Sequence, residues 1–371
     1  MRDRLPCVRG GLDRMKPDVS VIVPTYNERG NILTLLEKLN SVLSNRSYEV
    51  NIIDDDSRDG TAEIARAASD KYPVNVVVRK DKRGLASAVV DGMRLSNGNI
   101  LVVMDADLQH PPEVVPGLLR ALESGSDIAI ASRYVKGGAC QDWGLTRKVI
   151  SRGATFLARI LIPSVRRVND PMSGFFALKR DVVADAVLSP IGYKILLETL
   201  ARGRFQKVSE VPFVFRTRNK GESKLNSRQQ IEYLKHLYSL TRRTGELKRF
   251  ITFCLVGLTG VGVNEGLLWI LNQFAGLPLL PASVVSVEAA IISNFTLNDL
   301  FTFKDRRTAS NPWWLRLAKF NLVSLVGLGI NTGALLFFSN TVGIHYLVAN
   351  LIGIAIAMLF NYMLNSWWTW D

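Results

Sequence analysis

Cysteine and histidine are scarce in this chain. Its 371 residues hold three of each. Cys7, Cys140 and Cys254 make no Cys-x-x-Cys pair and leave an odd count. A disulfide framework and a zinc site are thereby excluded as the organising chemistry. No Gly-x-Gly-x-x-Gly turn follows the first apolar run, which ends in Pro24-Thr25-Tyr26-Asn27-Glu28. That disfavours a nicotinamide or flavin dinucleotide. Arg2, Arg4, Arg9 and Arg14 have no apolar stretch behind them. The N-terminus therefore does not read as a secretory signal, and residues 1–16 read as a loose basic arm. Acidic residues are outnumbered, giving a net charge of +13. Such an excess suits nucleic acid or an anionic membrane surface. No nucleic-acid-binding module surrounds the charge, and the last third of the chain points to the membrane.

Residues 17–132 alternate short apolar runs with helix-like stretches. Strands are predicted at Val19–Pro24, Glu49–Asp54, Val74–Val78, Ile100–Met104 and Asp127–Ala131. Between them, Asn31–Leu43, Ala62–Ala68, Leu85–Leu95 and Glu113–Leu122 carry helical apolar spacing. Such alternation implies an α/β, Rossmann-like domain with a mostly parallel sheet.

Ile100–Gln109 is the most informative stretch. Four apolar residues lead through Met104 to Asp105, with Asp107 and Gln109 at the same spacing of two. The run predicts a buried parallel strand, and open α/β sheets bind ligands at their strands' carboxyl ends. Two carboxylates and an amide oxygen are hard ligands suited to Mg²⁺ or Mn²⁺. Such an ion completes its shell with substrate phosphates. The alternative is an acidic strand end that caps the helix beginning near Pro111-Pro112.

With these residues in view, the chain resembles a known family. VIVPTYNE (Val21–Glu28), DDDSRDGT (Asp54–Thr61), GLASAVVDG (Gly84–Gly92), DADLQ (Asp105–Gln109) and SGFFALKR (Ser173–Arg180) are similar to motifs of GT-A family 2 glycosyltransferases. The nearest likeness is to those acting on dolichyl or polyprenyl phosphate, and it covers about residues 17–245. It implies that Pro24, Tyr26, Glu28, Ile53 and Asp55 hold the base and ribose of a nucleotide sugar, with Ala106 in the same pocket. It implies that Asp107 and Gln109 hold the metal, and that Asp105 helps with the ion or a sugar hydroxyl. Arg133, Arg218 and Lys224 would surround the phosphates, with Arg133, Arg147 and Arg218 facing the acceptor phosphate. A mobile acceptor loop is expected over Phe213–Leu225. Glu198 falls near the base used with hydroxyl acceptors; pairing with Lys194 is the other role open to it.

Two stretches carry basic amphipathic spacing, residues 148–167 and 226–245. Both could lie in the headgroup plane or pack on the soluble domain. From residue 246 the character changes. Apolar stretches at Phe250–Phe274, Leu277–Leu297, Phe320–Val342 and Tyr346–Leu364 are each long enough to span a bilayer. Lys and Arg cluster before the first and between the second and third, and are missing from the other two connections. The positive-inside rule then places the catalytic domain on the cytoplasmic face. Asn294, Asn298, Thr302 and Asn361, Asn365, Thr369 stand in the same relation, as do Gly260 and Gly327. The region therefore reads as two copies of one hairpin and resembles a GtrA-like four-helix membrane domain. Glu265 and Glu288 fall inside predicted spans, where acids are functional suspects.

The resemblance implies an inverting transfer of mannose from GDP-mannose to dolichyl or polyprenyl phosphate, giving a lipid-linked sugar donor. Two alternatives stand beside it: a UDP-glucose:polyprenyl-phosphate glucosyltransferase, and a lipid-linked-sugar flippase with a sugar-nucleotide-binding module.

Overall fold

The computed structural model describes residues 16–81, 84–141, 144–215, 227–308 and 310–370; of residues 145–149 and 227–229 it describes the backbone alone. The basic arm up to residue 15, Arg218 and Lys224 lie outside the described residues, as does most of the expected acceptor loop. The described residues form two compact units, one up to Thr244 and one from Gly245.

The first unit is built on a seven-stranded sheet. Its strands are β1 (Val19–Thr25), β2 (Tyr48–Asp54), β3 (Val74–Val78), β4 (Ile100–Val103), β5 (Ile128–Ser132), β7 (Phe176–Lys179) and β8 (Val208–Pro212), in the order β3-β2-β1-β4-β7-β5-β8. All pairings are parallel except the two made by β7. A short parallel pair, β6 (Ala139–Cys140) with β9 (Val214–Phe215), lies apart. The connecting helices are α1 (Arg29–Leu43), α2 (Thr61–Ala67), α3 (Leu85–Leu95), α4 (Val115–Glu123), α5 (Leu145–Leu161), α6 (Ile195–Arg202) and α7 (Ser227–Arg243).

Alternation along the strands explains the two-sided core. Val19, Val21 and Val23 of β1 enter one apolar layer, and Ile22 enters the other. Val102 and Leu101 of β4 divide likewise. Each such side chain contributes about 1.5–3 kcal/mol when fully buried. Gly92 lets α3 approach the sheet, because a Cβ there would overlap Ile22. Pro24 is tolerated in a central strand because the β1–β4 ladder ends at Ile22↔Val103, before its missing N–H matters.

The two amphipathic helices divide their apolar residues. On α7, Leu237 and Leu240 are in the core, whereas Ile231, Leu234 and Tyr238 are exposed. On α5, Ala158 is buried and Ile150 and Phe156 are exposed. Tyr233 joins the helices by donating to the Ala154 carbonyl at 2.6 Å.

Among the described residues, the second unit has four helices long and apolar enough to cross a membrane. They are α8 (Glu246–Gln273), α9 (Leu279–Leu297), α10 (Trp313–Leu336) and α11 (Tyr346–Leu364), and the last three each run on into a π-helical turn. The third helix starts seven residues before the predicted Phe320. Pro312 starts it, and its charged Arg316 is buried on Asp299 instead of ending the span. The helices pack chiefly as two hairpins, α8 with α9 and α10 with α11. The Gly260 surface takes the Asn294 amide, and the Gly327 surface takes that of Asn361. At the charged ends, Glu246 accepts from Arg306 at 3.0 Å and from Tyr362 at 3.2 Å. Asp299 accepts from Arg316 at 3.0 Å and from the Trp370 indole at 2.8 Å. Glu265 and Glu288 lie on exposed helix faces, bonded to Asn264 and Asn321 respectively.

Candidate active site

The strand directions bring the predicted residues together. β2, β1, β4, β5 and β8 run the same way, so the segments after them share one edge. Pro24–Glu28 follows or ends β1, Asp54–Asp56 ends β2, Asp105–His110 follows β4, Arg133 follows β5 and Phe213 follows β8. β7 runs oppositely, so Ser173–Phe175 enters from the same edge.

Among the described residues, three non-glycines have positive φ: Asn27 at 58°, Asp56 at 57° and Leu108 at 61°. Each sits in the loop after one of three adjacent strands, β1, β2 and β4. Left-handed backbone is unfavourable for such residues and concentrates at functional sites. The first two loops are stitched together. Asn27 N donates to Ser57 Oγ at 2.8 Å, Glu28 N to Thr61 Oγ1 at 2.9 Å and Arg29 N to Asp59 Oδ2 at 3.0 Å.

The nucleotide-binding expectations fare differently by residue. Tyr26 is 47% exposed, and Glu28 is half-buried with its carboxylate on Asn31. Both are accessible. Ile53 and Ala106 are buried, Ile53 in the core, so neither presents a side chain at the edge. Asp55 is also buried. It pairs with Arg79 and accepts the Gly84 amide at 2.7 Å. Arg79 reaches on to Ser87 at 3.0 Å and Asp91 at 3.1 Å. Asp55 is thus tied through Arg79, 24 residues away, to the start of α3. The acidic turn also caps itself: Asp54 accepts the Ser57 amide at 2.8 Å and Asp59 that of Thr61 at 3.0 Å. Burial raises the Asp59 pKa, but bonds from the Thr61 hydroxyl and from the Arg29 and Thr61 amides outweigh it and leave the value lowered.

Asp105, Asp107 and Gln109 are half-exposed at the end of β4. Asp107 Oδ1 accepts the Gln109 amide at 3.1 Å. Among the described residues, no cluster of three His, Cys, Asp or Glu could hold a metal. Two acids and one amide fit an ion that keeps few protein ligands, as Mg²⁺ and Mn²⁺ do beside phosphates. Gly174 leaves room beside them: a Cβ there would stand 3.6 Å from Asp105 Oδ2.

His110 was not singled out by sequence. It is 3% exposed and accepts the Asp105 amide at Nδ1, 3.0 Å away. Burial pushes its pKa down to about 4, against the pull of Asp107, with Arg133 adding to the depression. Its 3.6 Å approach to the Asp105 carboxylate is consequently not an ion pair, since the facing nitrogen is the one that accepts.

Arg133 is held more tightly than a free phosphate ligand. Its Nε and Nη2 donate to Asp170 at 2.7 Å, and its amide adds a third bond at 3.0 Å. Burial works against its charge, but Asp170 more than offsets that and raises the pKa. The guanidinium lies over the rings of Tyr134 and Phe215, at 5.5 and 5.8 Å. Asp170, which sequence reasoning missed, accepts from Arg133 and gives its own amide to Glu210. The Arg147 side chain is outside the described residues.

Glu198 stands apart from this edge chemistry. It is fully buried and accepts from His236 of α7 at 2.8 Å and from the Ser189 amide at 3.0 Å. The Lys194 pairing is not formed; Lys194 reaches the Met172 carbonyl at 3.4 Å. Burial would raise the Glu198 pKa, but His236, the Ser189 amide and Arg243 together lower it.

Comparison with known proteins shows the family. Residues 20–186 match Glycosyl transferase family 2, and residues 252–370 match the GtrA/DPMS transmembrane domain. A dolichol-phosphate mannosyltransferase of Pyrococcus furiosus is 48% identical over 355 residues, covering 95% of this chain and 99% of that protein. One from Saccharomyces cerevisiae is 40% identical over 255 residues, covering 64% of this chain and 94% of its own. Among solved structures, the glucosyl-3-phosphoglycerate synthase of Mycobacterium tuberculosis, in complex with Mn²⁺, UDP-glucose and phosphoglyceric acid, is 21% identical. It covers 64% of this chain and 86% of its own at a TM-score of 0.50, a likeness of fold alone.

Proposed function

Since the chain belongs to the dolichol-phosphate mannosyltransferases of glycosyl transferase family 2, we propose that it transfers mannose from GDP-mannose to dolichyl or another polyprenyl phosphate. It is an integral membrane protein, and the Lys/Arg distribution supports a catalytic unit on the cytoplasmic face. The observation that carries the reading is the half-exposed Asp105-x-Asp107-x-Gln109 set at a parallel sheet edge, in a chain that also bears four spans.

Asp107 and Gln109 would hold Mg²⁺ or Mn²⁺, with Asp105 on the ion or a sugar hydroxyl. When bound, such an ion supplies Lewis-acid stabilisation of the departing diphosphate. Tyr26 and Glu28 present accessible groups for base and ribose, beside Asp55, which Arg79 ties to the start of α3. The acceptor phosphate has a second pKa near ~6 and is largely a dianion at neutral pH. No strong base is then required, in keeping with the closed-off position of Glu198. Two anions must nevertheless be held close, which suits Arg133, Arg147, Arg218 and Lys224. An acceptor oxygen attacks the anomeric carbon as its bond to the diphosphate breaks, giving a β-linked product from an α-linked donor.

Purified protein supplied with GDP-mannose and UDP-glucose in turn, with dolichyl phosphate, tests the reading. Mannosyl transfer that requires Mn²⁺ or Mg²⁺ and disappears in Asp107→Ala is expected. Glucosyl transfer alone, metal-independent transfer, or retention of configuration by NMR would overturn it.

A further inference from the structure

The turn that carries the metal-binding set is held closed by a side chain that follows it. Leu108, in its middle, is left-handed. Such a conformation persists only where the surroundings over-determine it. Inside the turn, the Gln109 amide is bonded to Asp107. Outside it, His110 Nδ1 takes the Asp105 amide at 3.0 Å. A nitrogen that accepts an N–H carries no proton, so the ring proton belongs on Nε2.

The ring itself cannot swing away. Phe175 stacks on it at 5.2 Å, and Phe213 and Phe215 meet it edge-on at 6.0 and 5.8 Å. On a further side is Gly174, where a Cβ would stand 3.2 Å from His110 Cε1. Three aromatic rings and a missing side chain thus fix one nitrogen on one backbone amide.

We infer that His110 is the positioning residue of the Asp105–Gln109 turn: through the Asp105 amide, it sets where the Asp105 and Asp107 carboxylates meet a divalent cation. The inference rests on the metal assignment made under the proposed function. It separates His110 from acid–base chemistry and from contact with substrate.

Two substitutions divide the ring from its acceptor nitrogen. His110→Asn places an amide oxygen near the Nδ1 position but removes the ring. His110→Phe keeps the stacked ring and removes the acceptor. Mn²⁺ binding to the full-length protein, with GDP present, is read from loss of the free-Mn²⁺ paramagnetic resonance signal. Asp107→Ala serves as control. Supporting partners of metal ligands typically contribute 10–100-fold in affinity, so His110→Phe is expected to weaken Mn²⁺ at least about tenfold and His110→Asn less than about threefold. Unchanged binding in His110→Phe, or loss in His110→Asn, would overturn the inference. If His110→Phe does not fold, His110→Asn decides alone by the same criterion. Mn²⁺ binding that survives Asp107→Ala would instead remove the metal assignment itself.

Discussion

His236 Nε2 lies 2.8 Å from Glu198 Oε2, and neither side chain is more than 1% exposed. The pair docks α7 onto α6. Removing one member of such a buried pair costs about 3–5 kcal/mol. Glu198→Gln should therefore lower the melting temperature clearly at pH 7 while leaving kcat within a few-fold at temperatures where the variant is folded. The pH dependence has a definite sign. The folded pKa of Glu198 is lowered, so its ionic contribution is complete above the ordinary glutamate range and is lost as pH falls through the folded value. The gap in melting temperature between wild type and Glu198→Gln should narrow on acidification. A gap that stays constant to acid pH, or a dead but equally stable variant, would assign Glu198 a different role.

Asp170 offers a contrasting test, because its partner Arg133 follows β5 at the sheet edge where the substrates are proposed to bind. In Asp170→Asn one oxygen remains to accept, but the charge that orients Arg133 is gone. A charge-assisted hydrogen bond is worth about 1.5–3 kcal/mol. We expect KM for the lipid phosphate to rise about tenfold or more, with donor binding less affected, which steady-state titration of each substrate would read. Equal loss toward both substrates would point to general loosening instead.

Within the membrane unit, two neighbouring glycines should behave differently. A Cβ at Gly260 would overlap the Asn294 amide, whereas at Gly262 it would meet nothing within 4 Å. Overpacking of this kind costs about 1–3 kcal/mol. Gly260→Ala should reduce thermal stability in detergent and Gly262→Ala should not. Gly327→Ala should reproduce the Gly260 result, since Asn361 meets it in the same way.

Trp370 is 1% exposed, stacks on Phe303 at 4.3 Å and donates to Asp299. Truncating a buried aromatic costs about 3–5 kcal/mol. Trp370→Ala should therefore destabilise markedly in a melting experiment. Trp370→Phe should keep the stacking, lose only the hydrogen bond and fall between the two.

The sheet was legible where apolar runs are long and end in turn residues, as at Val19–Pro24 and Ile100–Met104. β7 was not, because Phe176–Lys179 is short and runs against its neighbours. The edge residues Asp105, Asp107 and Gln109 could be found because their spacing of two follows a buried strand. Their supports could not. Asp170 meets Arg133 across 37 positions, Arg79 meets Asp55 across 24, and His236 meets Glu198 across 38. Such pairings are set by tertiary packing and leave no periodic trace. His110 lay beside the motif, yet its role depends on three phenylalanines brought from elsewhere in the chain.

The glycine–asparagine clasps have a consequence for how the spans enter a bilayer. Gly260 meets Asn294, and Gly327 meets Asn361, so each clasp closes inside its own hairpin and not across the two. The first pair of spans can be complete before the second has left the ribosome. Contacts between the halves, Arg316 and Trp370 against Asp299 among them, form once the second pair has followed.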